Sequence, residues 1–276
     1  MRKPILGPAM PSFAHVQSSV LQEFKRYLFA ASDKGVFRIS DIMSWLKPSR
    51  TIPVTRWRAP SRWRTKPSTF AVLVIGLWLF GTGDGMLVAA GLGVSPWTVL
   101  AQGLSTKLPM SIGLATFLVS VLVLLLWIPL RERPGLGTIC NAIVIALALQ
   151  VSLIYLPRPQ IFGLQLAEVL IGIAAIGLGS GLYLTTNLGP GPRDGWMTGI
   201  HQRTGWPVPA VRLSIEVVVL GIGWLLGGVV GLGTVLFALL IGPSVGYGLM
   251  IVGTFGRDRT KPAENISEDE FPELDA

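Results

Sequence analysis

From residue 70 onward the chain is a succession of long apolar runs separated by short gaps. The runs are about 20 residues long, the length at which a helix crosses the hydrocarbon core of a bilayer. Gly and Pro punctuate the gaps, as in Pro134–Gly137 and Pro157–Pro159. The pattern predicts an all-α membrane protein with six transmembrane helices. They are predicted at Phe70–Gly91, Ile112–Leu130, Thr138–Leu156, Ile161–Thr186, Val208–Leu226 and Gly233–Phe255.

The two ends of the chain follow a different pattern. Residues 1–68 contain thirteen of the 23 Lys and Arg residues. Apolar positions between Phe13 and Leu28 recur at helical spacing, which predicts a short amphipathic helix. The Trp- and Arg-rich stretch from Thr51 to Ser68 suits the lipid headgroup layer, or else forms part of a disordered extension. The predicted regions are a basic cytoplasmic extension at 1–68, membrane units at 69–160 and 161–255, and a disordered cytoplasmic tail at 256–276.

Composition supports a membrane protein and argues against several other classes. Half of the residues are hydrophobic and 14% are charged, whereas a soluble domain carries about 25% charged residues. We assign the formal net charge of +8 to the positive-inside rule rather than to nucleic-acid binding. The single cysteine, Cys140, excludes an intramolecular disulfide framework and a zinc cluster built on cysteines.

A repeat organises the six spans. When the sequence is shifted by 96 positions along itself, 21 of the 85 aligned residues from 70 to 154 are identical without a gap. Leu92-Gly93 falls on Leu188-Gly189, and Gly135–Thr138 falls on Gly231–Thr234. Each unit holds three spans, an odd number, so the second unit is predicted to be inverted relative to the first. Inverted repeats are frequent in secondary transporters.

Basic residues in the loops predict the orientation. With the N-terminus inside, the inner loops carry Arg131, Arg133, Arg193 and Arg203, and the outer loops carry only Lys107 and Arg158. Since Lys and Arg accumulate on the cytoplasmic side, both termini are predicted to be cytoplasmic.

Each unit also contains a helix too short to span the membrane. Ser95-Pro96 begins one that runs to about Thr106, and Gly191-Pro192 begins its counterpart, which runs to about Arg203. One interpretation is a pair of re-entrant half-helices whose N-terminal N–H groups point at an anion inside the membrane. The other is a pair of amphipathic connectors that lie flat at the membrane surface.

The candidate substrate-binding residues lie in and after the second short helix. Arg193 and Asp194 fall in its first turn, and Arg212 and Glu216 are spaced for an (i, i+4) ion pair in the fifth span. Ionisable residues within a span are functional candidates by default. A structural role is equally open, because Asp194 complements the helix dipole and an ion pair near the inner surface needs no ligand to explain it. The candidate set also includes the residues at the beginnings of the two short helices, namely Ser95, Pro96, Gly191 and Pro192.

Two more acidic residues fall in the spans. Asp84, whose counterpart in the second unit is Ser180, is predicted to be hydrated near the outer face. Glu168 is predicted near a helix end. Small-xxx-small spacings such as Gly81 to Gly85 predict close helix packing rather than a nucleotide site.

Several motifs together resemble those of the bacterial YczE-like membrane proteins, which are similar to the wider YitT-type group. They are Gly91–Pro96 with Ser111-Ile112-Gly113, Arg133–Thr138, Gly189–Gly195, Val211-Arg212 through Ile215-Glu216, and Gly231–Thr234 with Ile241-Gly242-Pro243. The resemblance covers about residues 68–255 and departs from the family pattern at Val94–Thr98. It implies a multi-pass protein of the bacterial inner membrane and brings no assigned activity.

Two functions are open at this point. One is a small transporter or carrier of a small anion or polar metabolite, with its site between the two short helices. The other is a non-transporting accessory protein that stabilises or regulates a partner. The sequence contains no catalytic constellation and no metal or cofactor motif, so neither an enzyme nor a cofactor is expected. The expected partners are the lipid bilayer and either a small-molecule substrate or a protein. Association into a homo-oligomer is a further alternative, and no nucleic-acid partner is expected.

Overall fold

A computed structural model describes residues 51–256 and the pair 265–266. The amphipathic helix predicted between Phe13 and Leu28, and most of the acidic tail, lie outside the described residues. In chain order the elements are β1 (Ile52–Pro53), α1 (Pro67–Ala90), α2 (Pro96–Lys107), α3 (Ile112–Leu125), α4 (Trp127–Leu130), α5 (Leu136–Tyr155), α6 (Phe162–Leu184), α7 (Pro192–Thr204), α8 (Val208–Leu225), α9 (Leu232–Gly256) and β2 (Asn265–Ile266). The two short strands pair antiparallel.

Within the described part, six helical segments are long and apolar enough to cross a membrane. They are α1, the α3–α4 pair taken as Ile112–Leu130, α5, α6, α8 and α9, with mean hydropathies between 1.7 and 2.5. They coincide with the six predicted spans to within a few residues. The all-α architecture predicted from the hydrophobic pattern is confirmed, and the chain is a multi-pass membrane protein.

Glycines allow α1 and α6 to approach closely. A Cβ atom added at Gly76 would lie 2.9 Å from the carbonyl oxygen of Gly179, and one added at Gly83 would lie 2.6 Å from that of Gly172. The two backbones therefore touch where neither has a side chain, as is usual for closely packed transmembrane helices. As the residue number rises along α1 it falls along α6, so the two helices run antiparallel.

Contacts in the two units correspond under the 96-residue shift. Gly81 of α1 lies against Ala148 of α5, and its counterpart Gly177 of α6 lies against Ser244 of α9. Helix α1 thus packs on α5 as α6 packs on α9. An apolar cluster between α1, α6 and α9 includes Leu87, Val169, Ile176, Phe237 and Ile241.

The loops that join the two units correspond in the same way. The N–H of Gly137 donates to the carbonyl of Leu188 at 2.7 Å, and the N–H of Gly233 donates to the carbonyl of Leu92 at 2.7 Å. Each bond crosses from one unit to the other. Because Gly137 is equivalent to Gly233, and Leu92 to Leu188, under the 96-residue shift, the two hydrogen bonds are equivalent.

The units differ in how their second spans pack. In the first unit, the N–H of Gly113 in α3 donates to Gln150 Oε1 of α5 at 3.0 Å, and the two helices lie side by side. In the second, α8 makes little contact with α9. Gly242 of α9, the counterpart of Ala146, has open space where a side chain would stand. Helix α8 packs instead on α2, through Gly223.

Residues 51–66 pack against one end of the bundle. The N–H of Ala59 donates to the carbonyl of Thr186 at 2.9 Å, and Trp57 Nε1 donates to Thr185 Oγ1 at 3.1 Å. The chain therefore meets the bundle before the predicted boundary at residue 68, because backbone and indole groups of this segment find partners at the end of α6. We call this end of the bundle the terminal end, and the opposite end the distal end.

Candidate functional site

Helices α2 and α7 enter the bundle by their N-terminal ends. In α2, residues 96–99 are buried and Lys107 at the other end is exposed. In α7, Pro192 is buried and residues 202–204 are exposed. These patterns favour inward-pointing half-helices over connectors that lie flat. Helix α2 enters from the distal end and α7 from the terminal end.

Asp84 of α1 meets the N-terminus of α2. Its Oδ1 accepts a hydrogen bond from Ser95 Oγ at 3.3 Å, and Ser95 Oγ lies 2.8 Å from Thr98 Oγ1. The three residues retain only 1%, 1% and 0% exposure. Asp84 lies about 9 Å along the helix from the end of α1. The prediction that it is hydrated is wrong, because α2 folds back over it.

The N-terminus of α7 is held by side chains from two other helices. Tyr183 of α6 donates its hydroxyl to Asp194 Oδ2 at 2.9 Å. Trp127 of α4 donates its Nε1–H to the carbonyl of Pro192 at 2.9 Å. Asp194 lies in the first turn of α7 and is exposed, where the positive end of the helix dipole stabilises a carboxylate.

Arg193 and Trp97 meet between the two half-helices. Cζ of Arg193 lies 5.2 Å from the centroid of the Trp97 ring, within range of a cation–π interaction. Trp196 packs edge-on against the same ring, with centroids 6.3 Å apart. Trp97 and Arg193 are 96 positions apart in the sequence. The contact therefore joins equivalent positions of the two units.

Arg193 lies among three acidic side chains. Asp84 of α1, Asp194 of α7 and Glu216 of α8 all lie close enough to interact with it electrostatically. Within the described residues, no carboxylate oxygen comes within 4.0 Å of its guanidinium group, and that group makes no hydrogen bond. Its N–H donors are therefore available to a further anion.

Arg212 and Glu216 form the predicted ion pair on α8. Arg212 Nε lies 3.0 Å from Glu216 Oε1, and the side chains are 50% and 24% exposed. A pair this exposed contributes only about 0–1 kcal/mol to stability. The pair adds charge beside Arg193 rather than holding the fold together.

Exposure falls across this cluster from the terminal end towards the distal end. Arg212 is half exposed and Glu216 one quarter exposed, whereas Asp84 and Thr98 are fully buried. The cluster is therefore more exposed towards the terminal end than towards the distal end.

The four predicted ionisable residues lie together in this cluster, but the sequence reasoning missed several of its members. The sequence identifies Asp84 as an acid within a span but places it in water near the outer face, because its neighbours in the cluster are remote in sequence. Tyr183 carried no signal for the same reason. Trp97 and Thr98 carried a partial signal, since the 96-residue shift aligns them with Arg193 and Asp194.

Two buried carboxylate oxygens have no hydrogen-bond partner among the described residues, namely Asp84 Oδ2 and Glu168 Oε2. Glu168 lies in the second turn of α6 and is 8% exposed. A buried carboxylate without partners is costly. Only Asp84 of the two has Arg193 as an electrostatic neighbour, so Asp84 belongs to the candidate site. The described residues contain no group of His, Cys, Asp and Glu side chains arranged to hold a metal ion.

Comparison with known proteins finds one matching family model and several similar proteins. A family model described as a family of unknown function, DUF6198, matches residues 67–248. The chain is 48% identical over 206 residues to an uncharacterized protein of Haemophilus influenzae. The aligned region covers 75% of this chain and 94% of that protein. It is 31% identical over 152 residues to the uncharacterized membrane protein YczE of Bacillus subtilis. This aligned region covers 55% of this chain and 71% of that protein. The resemblance to YczE-like proteins is confirmed. No solved structure matches the chain.

Proposed function

The chain belongs to the DUF6198 family of YczE-like membrane proteins, and from this premise we propose that it is a carrier that moves a small anionic or polar solute across the membrane. The proposal rests on one observation: two half-helix N-termini approach Arg193 inside an otherwise apolar bundle. Ionisable residues within a membrane bundle are costly and mark functional sites by default. Half-helices directed at a central site are a recurrent feature of secondary transporters.

We infer that the two units form an inverted repeat. Helices α1 and α6 are equivalent under the 96-residue shift and pack antiparallel. Exchange of the units maps the Gly76–Gly179 contact onto the Gly172–Gly83 contact. A two-fold rotation that exchanges antiparallel helices has its axis perpendicular to them. For helices that cross a membrane, this axis lies in the membrane plane, as in inverted-repeat transporters.

The positive groups of the cluster favour a small anion. Two arginines, Arg193 and Arg212, face three acids, Asp84, Asp194 and Glu216, which leaves one net negative charge. The N-termini of α2 and α7 each add roughly half a positive charge, so the empty cluster is close to neutral. The guanidinium group of Arg193 offers the planar fork that suits bidentate anion binding. The proposed site comprises Arg193, Asp194, Arg212 and Glu216 together with the helix starts at Ser95, Pro96, Gly191 and Pro192.

We further propose that the protein lies in a bacterial inner membrane with both termini in the cytoplasm. The terminal end carries a concentration of basic residues, which supports this orientation by the positive-inside rule. They include Arg56, Arg58, Arg62, Arg64 and Lys66. In this orientation the exposed side of the cluster faces the cytoplasm.

A non-transporting membrane partner is the second candidate function, and the burial of the spans favours it. The apolar windows of α8 and α9 are 22% buried, against 39–44% in the other four spans. Their outward faces are the part of the bundle that a protein partner or a second copy of the chain would cover. An enzyme is not proposed, because within residues 51–256 His201 Nδ1 lies at the carbonyl of Trp206 rather than at a nucleophile.

Uptake into proteoliposomes distinguishes the two functions. The probes are radiolabelled chloride, sulfate, lactate and glutamate. Wild-type protein is expected to accelerate the uptake of at least one of them, and Arg193→Gln is expected to abolish that uptake. Arg203→Gln is the matched control, because Arg203 lies on the same helix and is exposed.

One result would contradict the carrier function, and another would contradict only the role of Arg193. A wild-type protein that moves none of the probes and co-purifies with a stoichiometric protein partner would favour the accessory role. An Arg193→Gln variant as active as wild type would show that the anion does not bind at Arg193.

A further inference from the structure

Asp84 is the least solvated charged group of the cluster. Only 1% of the residue is exposed, and one of its oxygens has no hydrogen-bond partner among the described residues. An ionised carboxylate can accept about four hydrogen bonds, whereas Asp84 accepts one, from Ser95. Its ionised form therefore depends on a nearby positive charge.

Arg193 supplies that charge. The groups that act on Asp84 are Arg193 of α7, and Ser95 and Thr98 of α2. Helices α5 and α6, which pack against α1, carry other titratable groups that do not act on it: Cys140, Tyr155, Glu168 and Tyr183. Among the residues that the structure describes, Asp84 thus has a single cationic partner.

The other acids near Arg193 have donors of their own. Asp194 accepts the hydroxyl of Tyr183 at 2.9 Å, and Glu216 accepts from Arg212 at 3.0 Å. Both are also more exposed than Asp84. Loss of Arg193 as a partner would leave them solvated or hydrogen-bonded, but it would leave Asp84 as a buried, uncompensated charge.

We propose that Asp84 takes up a proton when an anion binds to Arg193, so that the solute is carried together with one proton. This inference rests on the proposed carrier function and names its coupling ion. The bound anion neutralises Arg193, and a buried charge without a partner is less stable than its neutral form. A proton from water at the terminal end then forms an O–H bond at Asp84 Oδ2. It leaves again as H⁺ when the anion departs. A monoanion and a proton together add no net charge to the cluster.

The surroundings of Asp84 favour a proton over a metal cation. The N-terminus of α2 presents the positive end of a helix dipole to the carboxylate, and Arg193 adds a full positive charge. Both would repel a metal ion at this position. A proton requires only the unpartnered oxygen of Asp84.

Calorimetric titration of the purified protein in two buffers with different ionisation enthalpies measures the proposed proton directly. The probes are chloride, sulfate, lactate and glutamate at pH values from about 6 to 8, where none of their anionic groups titrates. Wild type is expected to take up one proton for each anion bound. The affinity should then rise about tenfold for each pH unit lowered.

Variants separate a proton on Asp84 from other sources. Asp84→Asn is expected to bind the anion with no proton uptake and no pH dependence, and Asp84→Glu is expected to restore both. Glu168→Gln is the matched control, a second buried carboxylate with an unpartnered oxygen, and it is expected to behave as wild type.

The outcomes separate this inference from the carrier function. Two results would overturn the role of Asp84 and leave the carrier function intact. One is that wild type binds the anion without taking up a proton, and the other is that proton uptake persists in Asp84→Asn. Failure of all four anions to bind would overturn the anion-carrier function, and the inference would fall with it.

Discussion

The glycine contact between α1 and α6 gives a stability prediction with a defined magnitude. Alanine at position 83 places a methyl group 2.6 Å from the carbonyl oxygen of Gly172, and alanine at position 179 places one 2.5 Å from that of Gly76. Ordinary contacts of this kind begin at 3.4 Å. The atoms that are met belong to helical backbone and cannot rotate away, so the two helices must move apart.

Moving α1 from α6 loosens a close backbone contact of the bundle. Inserting a methyl group into a well-packed interface costs about 1–3 kcal/mol. We expect Gly83→Ala and Gly179→Ala each to lower the free energy of unfolding by this amount. The two losses should be similar, because the positions are equivalent under the 96-residue shift. Gly221→Ala in α8 is the control, since no atom lies within 4 Å of its added Cβ. It is expected to gain about 0.5–1 kcal/mol from the better helix propensity of alanine.

Equilibrium unfolding in mixed micelles, followed by far-ultraviolet circular dichroism, measures these differences. The reasoning is refuted if Gly83→Ala is as stable as Gly221→Ala. A loss at position 83 without a comparable loss at position 179 would contradict the equivalence of the two units instead.

Two further predictions concern the terminal end. Burial raises the pKa of Glu132, with Arg62 partly opposing the shift. Stability from the protonated form is therefore present at low pH and lost as the pH rises through the raised pKa. Glu132→Gln is expected to be more stable than wild type at neutral pH by up to about 1 kcal/mol, and equally stable in acid. Thermal unfolding at both pH values measures this difference. Trp57→Ala removes the bond to Thr185 and is expected to speed tryptic cleavage of residues 51–66, whereas Trp63→Ala, a 58% exposed residue, is not.

The spans and the short helices could be predicted because they depend on local sequence. The length of each apolar run alone indicates that it can cross a bilayer, and each gap between runs contains Gly or Pro. Helix α2 begins at Pro96 and α7 at Pro192, as predicted, because proline suits the first helical position wherever the rest of the chain lies.

The composition of the site could be predicted only in part, because it depends on distant contacts. Arg212 and Glu216 are four residues apart, so helical geometry alone brings them together. Asp84 and Arg193 are 109 residues apart, and no local pattern encodes their approach. The same holds for the burial of Asp84, which requires α2 to fold back over α1.

The difference between the two units matters for a carrier, because a carrier needs two states. In inverted-repeat transporters, one state converts to the other when the units exchange conformations about the fixed site. Here α3 of the first unit is closed on α5 through Gly113 and Gln150. The equivalent positions in the second unit are Pro209 and Gly246, on helices that make little contact. If the units exchange conformations, Pro209 closes on Gly246 while Gly113 separates from Gln150.

Cysteine pairs at these positions test the exchange in a Cys140→Ser background. Gly113→Cys with Gln150→Cys is expected to cross-link in the solute-free protein, because this contact is present in the structure. Pro209→Cys with Gly246→Cys is expected to cross-link faster when a transported anion and a proton gradient are present, since only the exchanged state brings these residues together. Opposite responses of the two pairs are required, because closing one unit opens the other. Cross-linking of the first pair alone, with no response of either pair to solute, would mean that the two units differ permanently, and the site would then have access from one side only.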